Sequence, residues 1–246
     1  MSKLLEISDI ITSNRAEIAK RIVERQYQNN PQVWEKYGER GKQLSIRDAE
    51  YHLPFLTEAI VSENEEIFTD YIEWTQKLFQ NLRLPENALS EFLEISKDVL
   101  KDYLDNEMKA TVDHYIEKGL ETLKTAPPEE SSWLDHDNPY GSLTKAFNEA
   151  LLRGDRQTAH KLIMDAVESG VKVKDIYLYV FQQSQYEVGR LWLNYQISVA
   201  KEHFASAATQ QIMAQLYPYI FSSRKIGKSM VAATVGGELH EIGIRM

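Results

Sequence analysis

The stretch GRLWLNYQISVAKEHFAS, residues 189–206, separates Trp192 by nine residues from the adjacent pair Glu202 and His203. Its pattern predicts two helices joined by a turn, because Ser198 is a suitable N-cap for the second one. Such an arrangement folds a large aromatic ring towards an ionisable pair. Taken alone, a core tryptophan beside a solvent-exposed Glu–His pair is the more common explanation of these residues.

The sequence around this stretch predicts a compact bundle. Four helical segments are expected over residues 142–153, 155–169, 172–190 and 197–217. Gly154, Gly170 and the NYQIS turn divide them, and short connections of this kind are typical of a four-helix bundle. The bundle and its ends define a domain over residues 142–222.

The first half of the chain also predicts helices. With only 11 glycines and 7 prolines, and charged residues at helical spacing, the fold class is expected to be all-α. Residues 1–124 are expected to form an N-terminal helical domain, in which Ser45 to Asp48 starts a helix that Pro54 bends or restarts. The adjacent prolines Pro127 and Pro128 favour a linker over residues 125–141.

Composition excludes several classes of protein. The net charge of −9 argues against non-specific nucleic-acid binding, and the absence of cysteine excludes disulfides and thiolate chemistry. No apolar run approaches the roughly 20 residues of a membrane-spanning helix. The N-terminus is amphipathic without the apolar core of a signal peptide, so a cytoplasmic protein is expected.

The last residues, 223–246, change character. KSMVAATV, residues 228–235, predicts one buried strand, followed by a loop that carries His240 within Glu238-x-His240-x-x-Gly243. A single strand forms no stable sheet, so we expect the start of a truncated Rossmann-like α/β domain here. Taken alone, His240 is best explained as a solvent-exposed loop residue.

Together, the bundle sequence VGRLWLNYQISVAKEHFASAATQQIMAQLYP and the later GGELHEIGIRM resemble the cobalamin-binding protein family over residues 140–246. In that family a helical bundle covers the upper face of the corrin ring. A Rossmann-like domain binds the lower face and supplies a histidine to cobalt from an Asp-x-His-x-x-Gly motif. The resemblance makes His240 the lower cobalt ligand, with Glu238 in the place of the aspartate.

Within the family, a tryptophan followed after nine residues by Glu-His resembles the light-responsive adenosylcobalamin sensors. The resemblance implies that Trp192 lies beside the adenosyl group and that Glu202 hydrogen-bonds it. His203 is then the upper cobalt ligand after the adenosyl group is lost in light. The implied protein is a non-enzymatic sensor, in which loss of a bulky group shifts helical domains against each other.

The segment YHLPFLTEAIVSENEEIFTDYIEWTQKLFQNLRLPENAL resembles, more weakly, the helical sensory domain of RsbR-like regulators, which serves dimerisation or signal input. Tyr51, His52, Tyr71 and Trp74 are candidates to line a cavity there, although helix packing is the favoured explanation. We therefore expect a homodimer or higher homo-oligomer that signals through a protein partner, with no membrane and no direct nucleic-acid contact.

Three alternatives stay open on the sequence. A corrinoid carrier for methyl transfer, with methylcobalamin as its cofactor, shares the bundle and the histidine loop but has no need of the Trp192, Glu202 and His203 pattern. A helical interaction module with an incomplete cobalamin site is the second. Binding of another tetrapyrrole by the bundle is the third.

Overall fold

The chain divides into two compact units, Met1–Pro128 (unit 1) and Glu129–Met246 (unit 2). The computed structural model describes residues 2–125, 131–221, 227–234 and 241–246. Across these ranges the regular structure is helical, and no strand occurs. The prediction of an all-α fold is confirmed.

Unit 1 is a helical bundle around one apolar core. In chain order its helices are α1 (Lys3–Ser13), α2 (Arg15–Asn29), α3 (Pro31–Trp34), α4 (Gly38–Val61), α5 (Glu65–Asn81), α6 (Ala88–Leu100) and α7 (Asn106–Thr122), with a 3₁₀ turn at Glu35–Tyr37. The core residues recur at helical spacing, as Ile18 and Ile22 do on α2 and Phe68 and Ile72 do on α5.

The longest helix, α4, corrects one expectation. Ser45 and Asp48 lie inside it, because the helix already begins at Gly38 and its next residues include strong helix formers. Pro54 lies in the same helix and does not end it. The Thr57 hydroxyl donates a hydrogen bond to the Pro54 carbonyl at 3.0 Å, one turn further along α4.

Unit 2 begins with a 3₁₀ turn at Trp133–Asp135. Its further elements are α8 (Gly141–Leu152), α9 (Arg156–Glu168), α10 (Val173–Asp175), a π-helical segment (Ile176–Phe181), α11 (Gln182–Leu193), α12 (Val199–Gln215), α13 (Tyr217–Ile220) and α14 (Ile242–Arg245). A second apolar core, with Phe147 and Phe181 fully buried, joins α8, α9, the π segment, α11 and α12.

The π segment interrupts the long helix predicted over residues 172–190. A π turn spaces its hydrogen bonds at i+5 and disturbs the regular i+4 ladder of an α-helix. Here side chains bind the backbone of this region. The carbonyl of Tyr179 accepts hydrogen bonds from Asn138 Nδ2 at 2.9 Å and Thr144 Oγ1 at 3.0 Å. Asn148 Nδ2 likewise donates to the Ser184 carbonyl at 3.2 Å, inside the core.

The predicted buried strand is wrong over the residues that the structure describes. Residues 228–234 form no strand, and Met230 and Val231 are 89% and 94% exposed. A β-branched run becomes a strand only when a neighbouring strand pairs with its backbone. No described residue offers that edge. Val235 lies outside the described residues.

The buried histidine of unit 1 makes stability depend on pH. His52 is 7% exposed and its Nδ1 lies 2.6 Å from the Tyr71 hydroxyl. Burial lowers the pKa of His52 to about 4 and raises the pKa of Tyr71 to about 12. Both groups are therefore neutral in the folded protein at pH 7.

We predict that acidification destabilises unit 1 through His52. The unfolded chain gains a proton on this residue below about pH 6.5, whereas the folded chain resists it until about pH 4. The stability contribution is therefore full above pH 6.5 and falls as the pH drops, by about 2 kcal/mol between pH 7.5 and 5.0. Urea unfolding of the whole chain at both pH values measures the difference.

His52→Phe should remove this part of the pH dependence, while His114→Gln, at a half-exposed histidine, should keep it. Equal pH dependence in the wild-type chain and in His52→Phe would contradict the prediction.

Candidate functional site

The stretch 189–206 spans the end of α11, a five-residue turn and the start of α12. Tyr195 in the turn has φ +59°, a left-handed conformation that is rare outside glycine. Asn194 Nδ2 donates to the Arg190 carbonyl at 2.8 Å and closes the end of α11. The side chain of Ser198 accepts a hydrogen bond from the Lys201 amide, so the predicted N-cap is confirmed.

Trp192 lies in the last turn of α11, partly buried, and Glu202 and His203 lie in the first turns of α12. His203 has a side chain that is 75% exposed, and its Nδ1 is paired with the Glu202 carboxylate. The carboxylate is more buried, at 25% exposure. The free edge of the imidazole is thus accessible while its other nitrogen is held by an acid, an arrangement common for metal-binding histidines.

A chain of polar contacts fixes Glu202 to α11. The Ser206 hydroxyl lies 2.9 Å from Glu202 Oε1 and 3.0 Å from Gln185 Oε1. Gln185 Nε2 donates to Thr209 Oγ1 at 2.9 Å. Gln185 and Ser206 are not among the predicted site residues, because a polar side chain that pairs across two helices has no local signature in the sequence.

These contacts join α11 to α12. The two helices run antiparallel, since a short turn joins them, and Gln185 pairs with Ser206 and Thr209. In this antiparallel alignment, Gly189 of α11 lies opposite Glu202 of α12. A Cβ atom added at Gly189 would have nothing within 4 Å apart from its chain neighbours and its own helix. An open space therefore lies beside Gly189, on the face of α11 that also carries Trp192.

The backbone conformation does not require a glycine at position 189. Gly189 has an ordinary helical φ, and glycine in a helix interior costs about 1 kcal/mol relative to alanine. A glycine inside an amphipathic helix is the sequence signal that could have identified this position.

Apolar side chains are also exposed on α12 and in the turn before it. Val199 is 52% exposed and Phe204 is 36% exposed, although both lie on a helix that packs into the core along its other side. Tyr195 in the turn is exposed as well. An accessible apolar surface beside an imidazole and a carboxylate suits a large, mostly apolar ligand with polar edges.

A nearly buried ion pair connects α11 to the chain segment that precedes the bundle. Glu187 forms two hydrogen bonds with the Arg190 guanidinium, at 2.7 and 2.9 Å, and accepts a third from the Trp133 amide at 3.0 Å. Burial would raise the pKa of Glu187, yet these hydrogen bonds outweigh it and lower the pKa. The predicted linker is thus bound to α11 at Trp133.

The other predicted site residues lie either outside the described residues or in unit 1. His240 and Glu238 lie outside the described residues. In the part of the chain that is described, no three metal-ligating side chains come together. In unit 1, Tyr71 stacks on Phe55 with ring centroids 3.6 Å apart, and Tyr51 is exposed.

A match to a known protein family identifies the class of domain that unit 2 contains. A family model described as a B12 binding domain matches residues 143–217, which contain α9 to α12 and nearly all of α8. Unit 2 therefore carries a B12-binding domain of the helical type, as the resemblance implied, and its cofactor is of the cobalamin type.

A second family model, described as phycobilisome protein, matches residues 1–123. This match covers half of the chain, and through it the chain belongs to that family. The RsbR-like character of the same residues stays a prediction. No curated protein and no solved structure gave a significant match. Among the described helices, none combines the length and the apolar character needed to cross a bilayer.

We predict that Glu187→Gln destabilises unit 2 by about 1–3 kcal/mol, because it removes the charged partner of a nearly buried guanidinium. The matched control is Glu149→Gln on α8, whose exposed pair with Arg153 should contribute less than about 1 kcal/mol. Chemical unfolding followed by circular dichroism measures both. Equal effects of the two substitutions would contradict a special role for the Glu187 contacts.

Proposed function

We propose that unit 2 binds adenosylcobalamin at the open end of α11 and α12 and works as a light-responsive sensor rather than as an enzyme. The observation that carries the proposal is the open space beside Gly189, level with Glu202 and on the same face as Trp192. All of these residues lie within the matched B12-binding domain.

The residues present fit this cofactor. Exposed apolar surface from Val199 suits contact with the upper face of a corrin ring, and Gly189 leaves room that any side chain would fill. The ring of Trp192 supplies an aromatic wall at the end of α11. Side chains of the bundle that covered this space would keep a corrin ring away from α11.

Each polar residue then has a distinct task. Glu202, oriented by the Ser206 hydroxyl, is an acceptor for hydroxyl groups of the adenosyl moiety. His203 offers an accessible imidazole, a good ligand for transition metals. Bound adenosylcobalamin would supply a weak cobalt–carbon bond that light breaks.

Signalling would use α11, because one helix carries both the ligand-facing residues and the attachment of the preceding segment. Gln185, Gly189 and Trp192 share one face of α11, and Glu187 on another face binds the Trp133 amide. A ligand-dependent shift of α11 would therefore move the segment that leads back to unit 1. This connection supports a regulatory role, in which two arrangements of helices have different affinities for the ligand.

The test is a visible absorption spectrum of the protein after mixing with adenosylcobalamin in the dark, desalting and green illumination. We expect the corrinoid to be retained and its spectrum to change in light. Retention without a light-driven change would favour the corrinoid methyl carrier instead. Absence of retention would leave unit 2 as an interaction module.

We predict that His203→Ala leaves dark retention within about twofold and alters the spectrum after illumination, since the imidazole acts as a ligand only in the light state. His160→Ala on α9 is the matched control, because it also removes a histidine from unit 2, and it should behave like the wild-type chain. Identical light-state spectra for His203→Ala and the wild type would remove His203 from the proposed site.

We predict that Gly189→Leu lowers the affinity for adenosylcobalamin by about tenfold or more, because its side chain fills the open space. The same substitution should keep or raise the melting temperature, since it replaces glycine inside a helix. Lys161→Leu on α9 introduces the same side chain at an exposed position and should leave the affinity unchanged. Dialysis in the dark measures the affinity. A Gly189→Leu protein that binds like the wild type would place the ligand elsewhere.

A further inference from the structure

Unit 1 exposes a group of aromatic side chains on the surface formed by α4 and α5, which we call the aromatic face. Tyr51 and Phe55, one turn apart on α4, are 61% and 40% exposed, and Trp74 on α5 is 39% exposed. Tyr71 connects the two helices, because its ring stacks on both Phe55 and Trp74. The three exposed side chains leave roughly 300 Å² open to solvent, a size at which apolar patches begin to mark interaction sites.

On α4, charges of opposite sign flank the aromatic residues. Arg47 lies one turn before Tyr51. Glu58 lies one turn after Phe55, and these four positions form one exposed stripe of the helix. The Arg47 side chain is 63% exposed and its Nε is 3.9 Å from the carboxylate of Asp48, which lines a cavity between α2, α4, α5 and α6 to one side of the stripe. Such a long, exposed contact is weak, so the guanidinium is accessible to a second carboxylate.

On α5, two charges of opposite sign flank Trp74 in the same way. Asp70 lies one turn before it and Lys77 one turn after it, on the same side of the helix. The helix α5 runs antiparallel to α4, since only three residues join them and their aromatic rings stack. Lys77 is therefore at the Arg47 end of the aromatic face, and Asp70 is at the Glu58 end.

A face with opposite charges at its two ends is complementary to a second copy of itself. A two-fold axis that runs across both helices packs each helix antiparallel on its own copy. An axis midway between Arg47 and Glu58 brings each of these residues against the other one in the second copy. The midpoint of Asp70 and Lys77 on α5 is at Trp74, and the ring stack between the helices aligns the two midpoints, so the same axis pairs both sets of charges. An axis along the helices would bring like charges together, so the charges select the antiparallel arrangement.

We propose that two copies of this chain form a homodimer through the aromatic face, with α4 antiparallel to α4 and α5 antiparallel to α5. A standard interface buries about 800 Å² on each partner, so the charged stripes contribute a large part of the contact beside the aromatic rings. The dimer is independent of cobalamin, because all of these residues belong to unit 1. Failure of cobalamin binding and failure of dimerisation are therefore separate results.

Sedimentation equilibrium of the full chain measures the dissociation constant of the dimer. Arg47→Glu should weaken the dimer by about tenfold or more, because two pairs of like charges then face each other in every dimer. Lys20→Glu on α2 is the matched control, since it makes the same change of charge on a side chain that is 62% exposed. It should leave the dissociation constant within about twofold of the wild-type value.

Exchange of the two charges separates this arrangement from any other dimer. Glu58→Arg alone should weaken the dimer as Arg47→Glu does, and the double variant should return to within about threefold of the wild type. An equimolar mixture of the two single variants should form a heterodimer, because every facing pair in it is attractive. A wild-type chain that stays monomeric at about 1 mM, an Arg47→Glu dimer as tight as the Lys20→Glu dimer, or a double variant as weak as the single ones would overturn the proposal.

Discussion

The arrangement of unit 2 depends on the hydrogen bonds that Asn138 and Thr144 donate to the Tyr179 carbonyl. These bonds accompany a π-helical segment, and one residue inserted into a helix turns everything after it by about 100°. The faces of α11 are set by that rotation. Glu187 meets Trp133 on one side, and Gln185 meets Ser206 and Thr209 on another. The open site at the end of α11 is a consequence of this register.

Local sequence patterns predict most of the helices. They do not predict features that depend on contacts between residues far apart in the chain. Helical spacing and the Ser198 cap predicted the elements of the bundle, because they are local properties. The π segment shows no break in apolar spacing, and its bonding partner Asn138 lies about forty residues earlier. KSMVAATV was misread as a strand because β-propensity has meaning only beside a partner strand.

The candidate site divides in the same way. Trp192, Glu202 and His203 are predicted site residues because their spacing resembles a known family, and they lie within the residues of the B12-binding match. Gly189 has no side chain to attract notice, and the space beside it is a property of two packed helices. The cavity of unit 1, which His52 and Trp34 also line, likewise exists only after α2, α4, α5 and α6 come together. Empty volume is the feature of a protein that its sequence states least directly.

The contact between Glu187 and position 133 has an evolutionary consequence. Glu187 accepts its hydrogen bond from the main-chain amide of Trp133, a group that nineteen of the twenty amino acids share. The attachment of the preceding segment therefore tolerates any side chain at this position except proline. The identity of Trp133 is constrained by its ring packing on Tyr186, with centroids 4.7 Å apart, and by nothing in the attachment itself. Relatives can therefore exchange the side chain while retaining the connection.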